Sequence, residues 1–445
     1  MVIRKFVEDT RQTEVAGEYD ALVLGGGPAG VAASIAAARA GASVLLIEKH
    51  GFLGGMATAG MVGSLCGFFT TGPEKKAIIG GVAHDFLKLL KSRQGVSEKM
   101  QSRVDTRIAV YQYSPEVFKY AADQLVLQSG SDILFHTLVV RILWEVEESC
   151  LSGVIVENKS GRCAYLGKII VDATGDGDVA SMAGVPFEFG DGKGKAQSLT
   201  TIFRMANVDV DALRVLDRQL LRNQMEEARR NGTFRLTRVD PIMGPAIPPG
   251  LVSANLTGIP DLNAVDAVDL TKAELEGRRQ VFEYLDFLRA TAPGFERAEI
   301  SSIAPQVGVR ETRRILGEYV LQESEALEGK KFDDAVALGA WPVEFHDPAT
   351  GRIQWKFLEA DDDYYTIPMR CLIPLKINNL VMAGRCISTT HIAQASTRVI
   401  GPSFAMGEAA GALAARSLDS NTMPRMVPAE MVQKELRRHG AILEA

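Results

Sequence analysis

Residues 21–49 read ALVLGGGPAGVAASIAAARAGASVLLIEK, and this run decides the fold. Ala21-Leu-Val-Leu24 is an apolar run of strand length that follows the polar Glu18-Tyr-Asp20. Pro28 sits where a helix opens, the Ala-rich run from Ala29 to Ala40 has strong helix propensity, and Gly41 ends it. Ser43-Val-Leu-Leu-Ile47 reads as a second buried parallel strand that stops at Glu48. The turn between the first strand and the helix is Gly25-x-Gly27-x-x-Gly30. Its first glycine makes the tight turn, the second lets backbone approach a pyrophosphate, and the third permits close helix–strand packing. The helix N-terminus supplies unpaired N–H groups and a positive dipole for phosphates. Glu48 stands where a carboxylate accepts both ribose hydroxyls of a dinucleotide, and its charge repels a 2′-phosphate. The bland alternative is a glycine-rich turn that binds nothing. A membrane span fails here, although Arg39 is the one charge between Ala21 and Ile47, because the glycines and Pro28 break the segment near its start.

Outward from this run, the 445 residues suggest two or three domains. Hydrophobic residues at 46% and charged residues at 23% give ample material for a core and exclude disordered, collagenous and disulfide-scaffold readings. A net charge of −6 provides no basic field for nucleic acid or an anionic membrane. The five cysteines (Cys66, Cys150, Cys163, Cys371, Cys386) form no CxxC pair, which argues against zinc ribbons, iron–sulfur clusters and secreted frameworks and fits a cytoplasmic protein. Arg4, Lys5, Glu8, Asp9, Arg11, Glu14 and Glu18 leave no apolar export segment in the first twenty residues.

Further along, Ser114-Pro115-Glu116 predicts a capped helix running to about Leu127. Ile133 to Trp144 reads as paired strands, and Leu151–Val156 and Tyr165–Val171 extend the β region. From Pro186 to Tyr364 charges become denser and turn residues recur. The opening style returns with Asn379-Leu-Val-Met-Ala383 as a strand, Gly384, a loop, and an Ala/Gly-rich helix after Gly401-Pro402. The fold class expected is α/β, a discontinuous Rossmann-like domain of residues 15–185 plus 365–430, with an inserted α+β substrate or cap domain at 186–364.

Two more stretches choose the nucleotide. Gly54-Gly55-x-x-Thr58 follows Glu48 closely and offers backbone N–H groups and a hydroxyl to a diphosphate–ribityl region, for which a nicotinamide-binding fold has little need. Val171-Asp-Ala-Thr-Gly-Asp176 ends a strand in a small-residue turn. With VDATGDGDVA, GVRETRRILGEY and NLVMAGRCISTTHIAQASTRVIGPSFAMGEAAGALAA beside the opening run, the chain resembles the FAD-dependent oxidoreductase family of the two-dinucleotide-binding-domain flavoproteins, the broad group that includes fumarate reductase-like enzymes. The resemblance spans the chain. It implies a non-covalently bound FAD contacted by Gly25, Gly27, Pro28, Ala29, Gly30, Glu48, Lys49, Gly54, Gly55, Met56, Ala57 and Thr58. It places Val139 or Val140 at the adenine, Ala173 and Gly175 by the diphosphate, and Gly384 and Arg385 at the pyrophosphate–ribityl region. The helix carrying Met406 and Gly407 would point its N-terminus at the flavin pyrimidine edge, where its N–H groups stabilise negative charge on reduced flavin. Arg385 stands where many such flavoproteins carry an aspartate, so a ribityl-binding acid is not assured.

The same resemblance sets the segment Thr389–Arg398 against the flavin ring. His391 is then a candidate acid or base for hydride transfer, the alternative being a histidine that shapes the loop. Arg398 could hold an anionic substrate or the flavin carbonyl edge, the alternative being an ion pair that braces the loop. Arg310, Arg313 and Arg314 would share a face if helical, and Arg310 is the third catalytic candidate, against a structural cluster. Gly175-x-Gly177-x-x-Ala180 lacks the long helix and acidic strand end of a second dinucleotide site. Cys66 reads as a buried thiol, His50 lies at the wrong end to carry flavin, and Asp361-Asp-Asp363 reads as a solvated turn, with no metal expected. The leading reading is an FAD-dependent oxidoreductase moving a hydride between a small organic substrate and flavin N5. Monooxygenation, redox-neutral flavin chemistry and, further off, RNA modification are the alternatives. The partners expected are a small-molecule substrate and an unassigned electron acceptor, with no nucleic acid or membrane and with a homo-oligomer left open.

Overall fold

The computed structural model describes residues 11–102, 105–145, 149–347 and 350–445. The charged stretch Arg4–Asp9, part of the expectation of no export segment, lies outside them. Strand β1 (Val15–Leu24), helix α1 (Pro28–Arg39) and strand β2 (Val44–Ile47) form the expected parallel unit, with Ala21 opposite Val44 and Leu24 opposite Ile47. β1 begins six residues earlier than its apolar run because Val15–Asp20 pairs along the strand Gly161–Asp172, where polar side chains reach solvent. Both central strands are wholly buried over their apolar runs, as a parallel sheet covered on both faces requires.

The main sheet has seven strands. Its path runs Asp132–Leu134, β2, β1, Gly161–Asp172, Leu151–Asn158, Leu138–Trp144, and Leu380–Met382 joins it by pairing in parallel with Gly161–Asp172. One expectation is corrected here. Residues 133–144 do not pair with one another: Asp132–Leu134 adds in parallel to β2 at one edge, and Leu138–Trp144 closes an antiparallel meander at the other. His136, with φ of 52°, lies in the link between them. The strand Leu380–Met382 brings the end of the chain back into this sheet, so the parallel layer is discontinuous in sequence.

Helix α2 (Val82–Ser92) and helix α3 (Pro115–Gln128) pack with α1 and with the long helix Ile400–Ser420 on the sheet. Ser114 caps α3 by accepting from the Val117 N–H. α1 and Ile400–Ser420 approach through small residues: a Cβ on Gly407 would lie 2.1 Å from the Ala29 carbonyl oxygen, and one on Gly411 would lie 2.2 Å from that of Ala33.

A second apolar core gathers Phe203, Met205, Leu221, Met225, Val252, Tyr284, Phe287 and Phe295. It lies on a four-stranded antiparallel sheet ordered Ile242–Pro245, Val252–Asn255, Phe203–Ala206, Glu299–Ile303, together with the helix Ala267–Thr291. Ile315, Leu338 and Leu358, later in the same stretch of chain, join the first core. No helix among the described residues is long and apolar enough to cross a membrane. No group of three or more metal-ligating side chains occurs among them either.

One buried acid makes stability depend on pH. Glu408 Oε2 accepts the Val82 N–H at the start of α2 (3.0 Å), while Oε1 has no partner among the described residues. Burial pushes its carboxyl from an ordinary 4.5 up to about 7, against the pull of the Val82 N–H and Arg39. The native state thus holds this proton more tightly than the unfolded chain. That contribution is complete below pH 4.5 and is lost as pH rises through 7, a change of roughly 3 kcal/mol. Glu408→Gln, neutral throughout, should melt above the wild type at pH 8.5 and close to it at pH 5. An equal Tm difference at both pH values would show that Glu408 does not titrate with folding.

Candidate active site

One large cavity opens at the carboxyl ends of β1, β2 and Gly161–Asp172, where open parallel sheets place their ligands. At one end Gly25, Gly27, Pro28, Ala29, Glu48, Lys49 and His50 line it. Gly25 has φ of +100°, and a Cβ there would lie 2.5 Å from the Ala173 carbonyl oxygen. Gly27 differs: a Cβ on it would meet nothing nearer than the Gly55 Cα at 3.9 Å, so the bare backbone faces open space. The first bond within α1 runs from the Val31 N–H to the Gly27 carbonyl (2.9 Å), leaving the Ala29 and Gly30 N–H groups unclaimed by the helix. Glu48 is buried, and its two oxygens accept the N–H groups of Gly26 (2.6 Å) and His50 (2.8 Å), which hold the carboxylate at the rim. The second glycine loop is tied to the first by the Gly54 N–H to the Gly26 carbonyl (2.7 Å). An open glycine backbone at a helix N-terminus beside a fixed carboxylate fits a dinucleotide diphosphate and its ribose.

Toward its middle the cavity is lined by Gly55, Met56, Ala57, Ala173, Thr174, Gly175, Gly384 and Arg385. Arg385 braces this wall, donating to the Gly175 carbonyl (2.9 Å), the Val309 carbonyl (2.6 Å) and Asp176 Oδ1 (2.6 Å). The first turn of Ile400–Ser420 opens onto the cavity through Ile400 and Ser403.

The far end is built by other segments. Arg310, Trp341, Glu344, His346, Trp355, Arg398 and Val399 line it. Glu344 and His346 stand two apart on the strand Val343–His346 and so share a face. His346 Nε2 and Glu344 Oε1 are 3.0 Å apart, and Trp341 Nε1 donates to Glu344 Oε2 (3.0 Å). A carboxylate only accepts, so Nε2 carries the proton and Nδ1 is left as an acceptor. Burial, then the Arg310 charge, push His346 well below its ordinary range despite Glu344, and the ring stays neutral. Burial alone would raise the Glu344 carboxyl, but the His346 hydrogen bond and the Arg398 and Arg310 charges hold it at about 2. Cys66 also lines the cavity and is half-buried where a buried thiol was expected; desolvation pushes its thiol up, which disfavours the thiolate.

Of the expected cofactor residues, Gly25, Gly27, Pro28, Ala29, Glu48, Lys49, Gly55, Met56, Ala57, Ala173, Gly175, Gly384 and Arg385 come together on this cavity. Gly30, Gly54, Thr58, Val139, Val140, Met406 and Gly407 do not line it. Gly30 is packed against the Gly25 carbonyl, and Gly54, with φ of +110°, serves the turn. Thr58 is buried away from the cavity, and its hydroxyl donates to the Leu53 carbonyl (2.8 Å). Val139 and Val140 lie on the edge strand Leu138–Trp144, with Val140 at a separate surface hollow. Met406 is fully buried and Gly407 faces α1, because the helix presents only its first turn to the cavity.

The catalytic expectations divide. Arg310 and Arg398 line the cavity, but His391 does not. His391 opens the short helix His391–Thr397, capped by Thr390 where a loop was expected, and its Nδ1 lies 2.6 Å from the buried Glu311 carboxylate with Phe345 edge-on to its ring. Residues 310–314 are not helical. Arg313–Ile315 is a strand paired with Phe187–Phe189, so neighbouring arginines diverge: Arg313 bonds Asp178 (2.8 Å), and buried Arg314 bonds Glu311 and Glu188. Asp362 of the acidic turn is no free acid; it accepts from Thr70 and from the Glu74 and Lys75 N–H groups. His346 and Glu344 went unread in the sequence. Their one signal was the strand spacing Glu344-x-His346.

The sequence model described as FAD dependent oxidoreductase matches residues 20–436. No curated protein sequence matches the chain. Among solved structures, a geranylgeranyl bacteriochlorophyll reductase-like protein from Thermoplasma acidophilum superposes with a TM-score of 0.46 at 14% identity, over 95% of this chain and 83% of that one. A p-nitrophenol 4-monooxygenase from Pseudomonas putida gives 0.43 at 10% identity, over 94% and 84%. CabE, an aromatic hydroxylase from angucycline biosynthesis, gives 0.48 at 10% identity over 95% of this chain, which spans 65% of that one. With a family match over nearly its whole length and a cavity shaped for a dinucleotide, the chain belongs to the FAD dependent oxidoreductase family and is an enzyme whose cofactor is FAD.

Proposed function

We propose that this enzyme moves a hydride between a small organic molecule and its non-covalently held FAD, with His346 taking or returning the accompanying proton. The observation that carries the reading is the continuity of one cavity from the Gly25–Gly27 turn to His346. Bound FAD supplies the redox chemistry at its N5. The chain supplies the rest. Glu48 and the α1 N-terminus hold the adenosine diphosphate end, and Arg385 fixes the turn at Gly175. Trp341 and Trp355 exclude water from the far end, and Glu344 orients the His346 ring so that Nδ1 presents its lone pair. The unit around the second apolar core serves as the substrate-covering cap in this reading, since Ile202, Met243, Ser253 and Asn255 form one wall.

Two measurements test it. Acid precipitation should release a yellow chromophore with the mass of FAD, whereas FMN alone or colour retained in the pellet would refute the cofactor assignment. Anaerobic mixing with a panel of alcohols, amines and enoates should bleach the flavin with at least one member. A chain whose flavin no donor bleaches, and whose reduced form no acceptor reoxidises, is no hydride-transfer enzyme.

A further inference from the structure

The far end of the cavity holds more buried cation than it has anion to match. Arg310 NH1 donates to the Ser198 carbonyl (2.7 Å) and Thr200 Oγ1 (2.5 Å), and among the described residues no acceptor meets its Nε or NH2. Arg398 NH2 donates to the Glu344 backbone carbonyl (3.0 Å), while its Nε is buried without a partner. Arg238 lies behind this wall and does not itself line the cavity; it is 3% exposed, its NH1 reaches Asn255 Oδ1 (2.8 Å), and its Nε and NH2 are buried without a partner among the described residues, so it adds positive charge and no ligand contact. Of the nearby acids, Asp240 is paired with Arg222 and Glu311 with Arg314 and His391, which leaves the single charge of Glu344, hydrogen-bonded by neutral His346 and Trp341, to face both Arg310 and Arg398. An unpaired buried N–H on a charged group costs more than a neutral one, and a guanidinium does not shed its proton to escape that cost. Burial and the charges of Arg398 and Arg238 press on Arg310 in just this sense.

From this surplus of paired-off acids and unpaired guanidinium donors, resting on the oxidoreductase reading of the same cavity, we infer that the substrate is a small carboxylate with a planar apolar body. Its carboxylate would bridge Arg310 and Arg398, the planar fork matching two oxygens. Its body would lie along Trp341, Trp355, Ile108 and Val399, which form the apolar wall beside the arginines. This places the reacting carbon next to the His346 end of the cavity. The cofactor's own anionic groups are provided for elsewhere, at the α1 N-terminus.

The test uses the FAD-loaded enzyme with benzoate as probe and benzamide, its neutral isostere, as control. Benzoate should perturb the flavin absorption band with saturation, and benzamide should bind at least about 10-fold more weakly. Arg398→Met and Arg310→Met should each weaken benzoate by about 10- to 100-fold at unchanged flavin content, and Arg398→Lys should fall between, keeping charge and losing the fork. Should either Met variant fail to fold, the Lys variant and the benzoate-to-benzamide ratio still decide. Equal binding of the two probes, or unaltered benzoate affinity in Arg398→Met and Arg398→Lys, overturns the inference. Loss of FAD in folded variants also overturns it, because the arginines would then serve the cofactor. Failure of the oxidoreductase reading is separate: calorimetric binding of benzoate persists even where no donor bleaches the flavin.

Discussion

Replacing His346 with asparagine is expected to slow flavin reduction by at least about 10²-fold while FAD content and fold are kept. The same change at His391 should leave the rate within a few-fold. The two histidines differ in what surrounds them. His346 lines the cavity, hydrogen-bonded through Nε2 to Glu344 with Nδ1 free to take a proton. His391 is committed to Glu311 and lies off the cavity. Burial and the Arg310 and Arg238 charges outweigh the Glu344 hydrogen bond and keep His346 neutral below its ordinary 6.5. The reduction rate should therefore hold as pH falls past that value, because the base is not consumed by protonation. Stopped-flow reduction by whichever donor bleaches the wild type, followed across pH, measures both. A slow His391→Asn beside a normal His346→Asn would return the proton to the residue that the sequence favours.

Gly30→Ala should abolish or severely damage the fold, whereas Gly27→Ala should fold and lose FAD. A Cβ on Gly30 would lie 1.8 Å from the Gly25 carbonyl oxygen and 3.3 Å from the Ala173 Cβ. Strand, turn and helix meet there with no flexible side chain to yield, so the cost exceeds the ~1–3 kcal/mol of ordinary overpacking. We expect either no soluble protein or a Tm lower by roughly 10 °C. A Cβ on Gly27 has room in the protein, its nearest neighbour lying 3.9 Å away, but it projects into the open space that we propose the diphosphate fills. Its melting curve should match the wild type, and its flavin-to-protein ratio after gel filtration should fall at least about 10-fold, a loss of roughly 1.4 kcal/mol or more. Full flavin retention in Gly27→Ala would show that the diphosphate does not pass there, and a wild-type Tm in Gly30→Ala would show that the turn can open.

By itself the sequence determined the dinucleotide half of this protein. The Gly25 turn, α1, β2, Glu48, the Ser114 cap and the returning strand at Leu380 are legible because each is written in the steric and hydrogen-bonding demands of consecutive residues. Where a side chain's placement depended on a remote partner, consecutive residues did not carry it. Arg313 and Arg314 looked like one face until pairing with Phe187–Phe189 made the segment a strand. His391 sat in the right stretch of chain, yet the first turn of its helix turned the ring to Glu311. His346 sat in an unremarked stretch, and packing set it beside Arg310 and Arg398. The bonds that build that pocket join residues as far apart as Ser198 and Arg310, 112 positions along the chain. Local chemistry encodes a turn whose open backbone suits a diphosphate, but the composition of a pocket is decided by which distant segments the two apolar cores bring together.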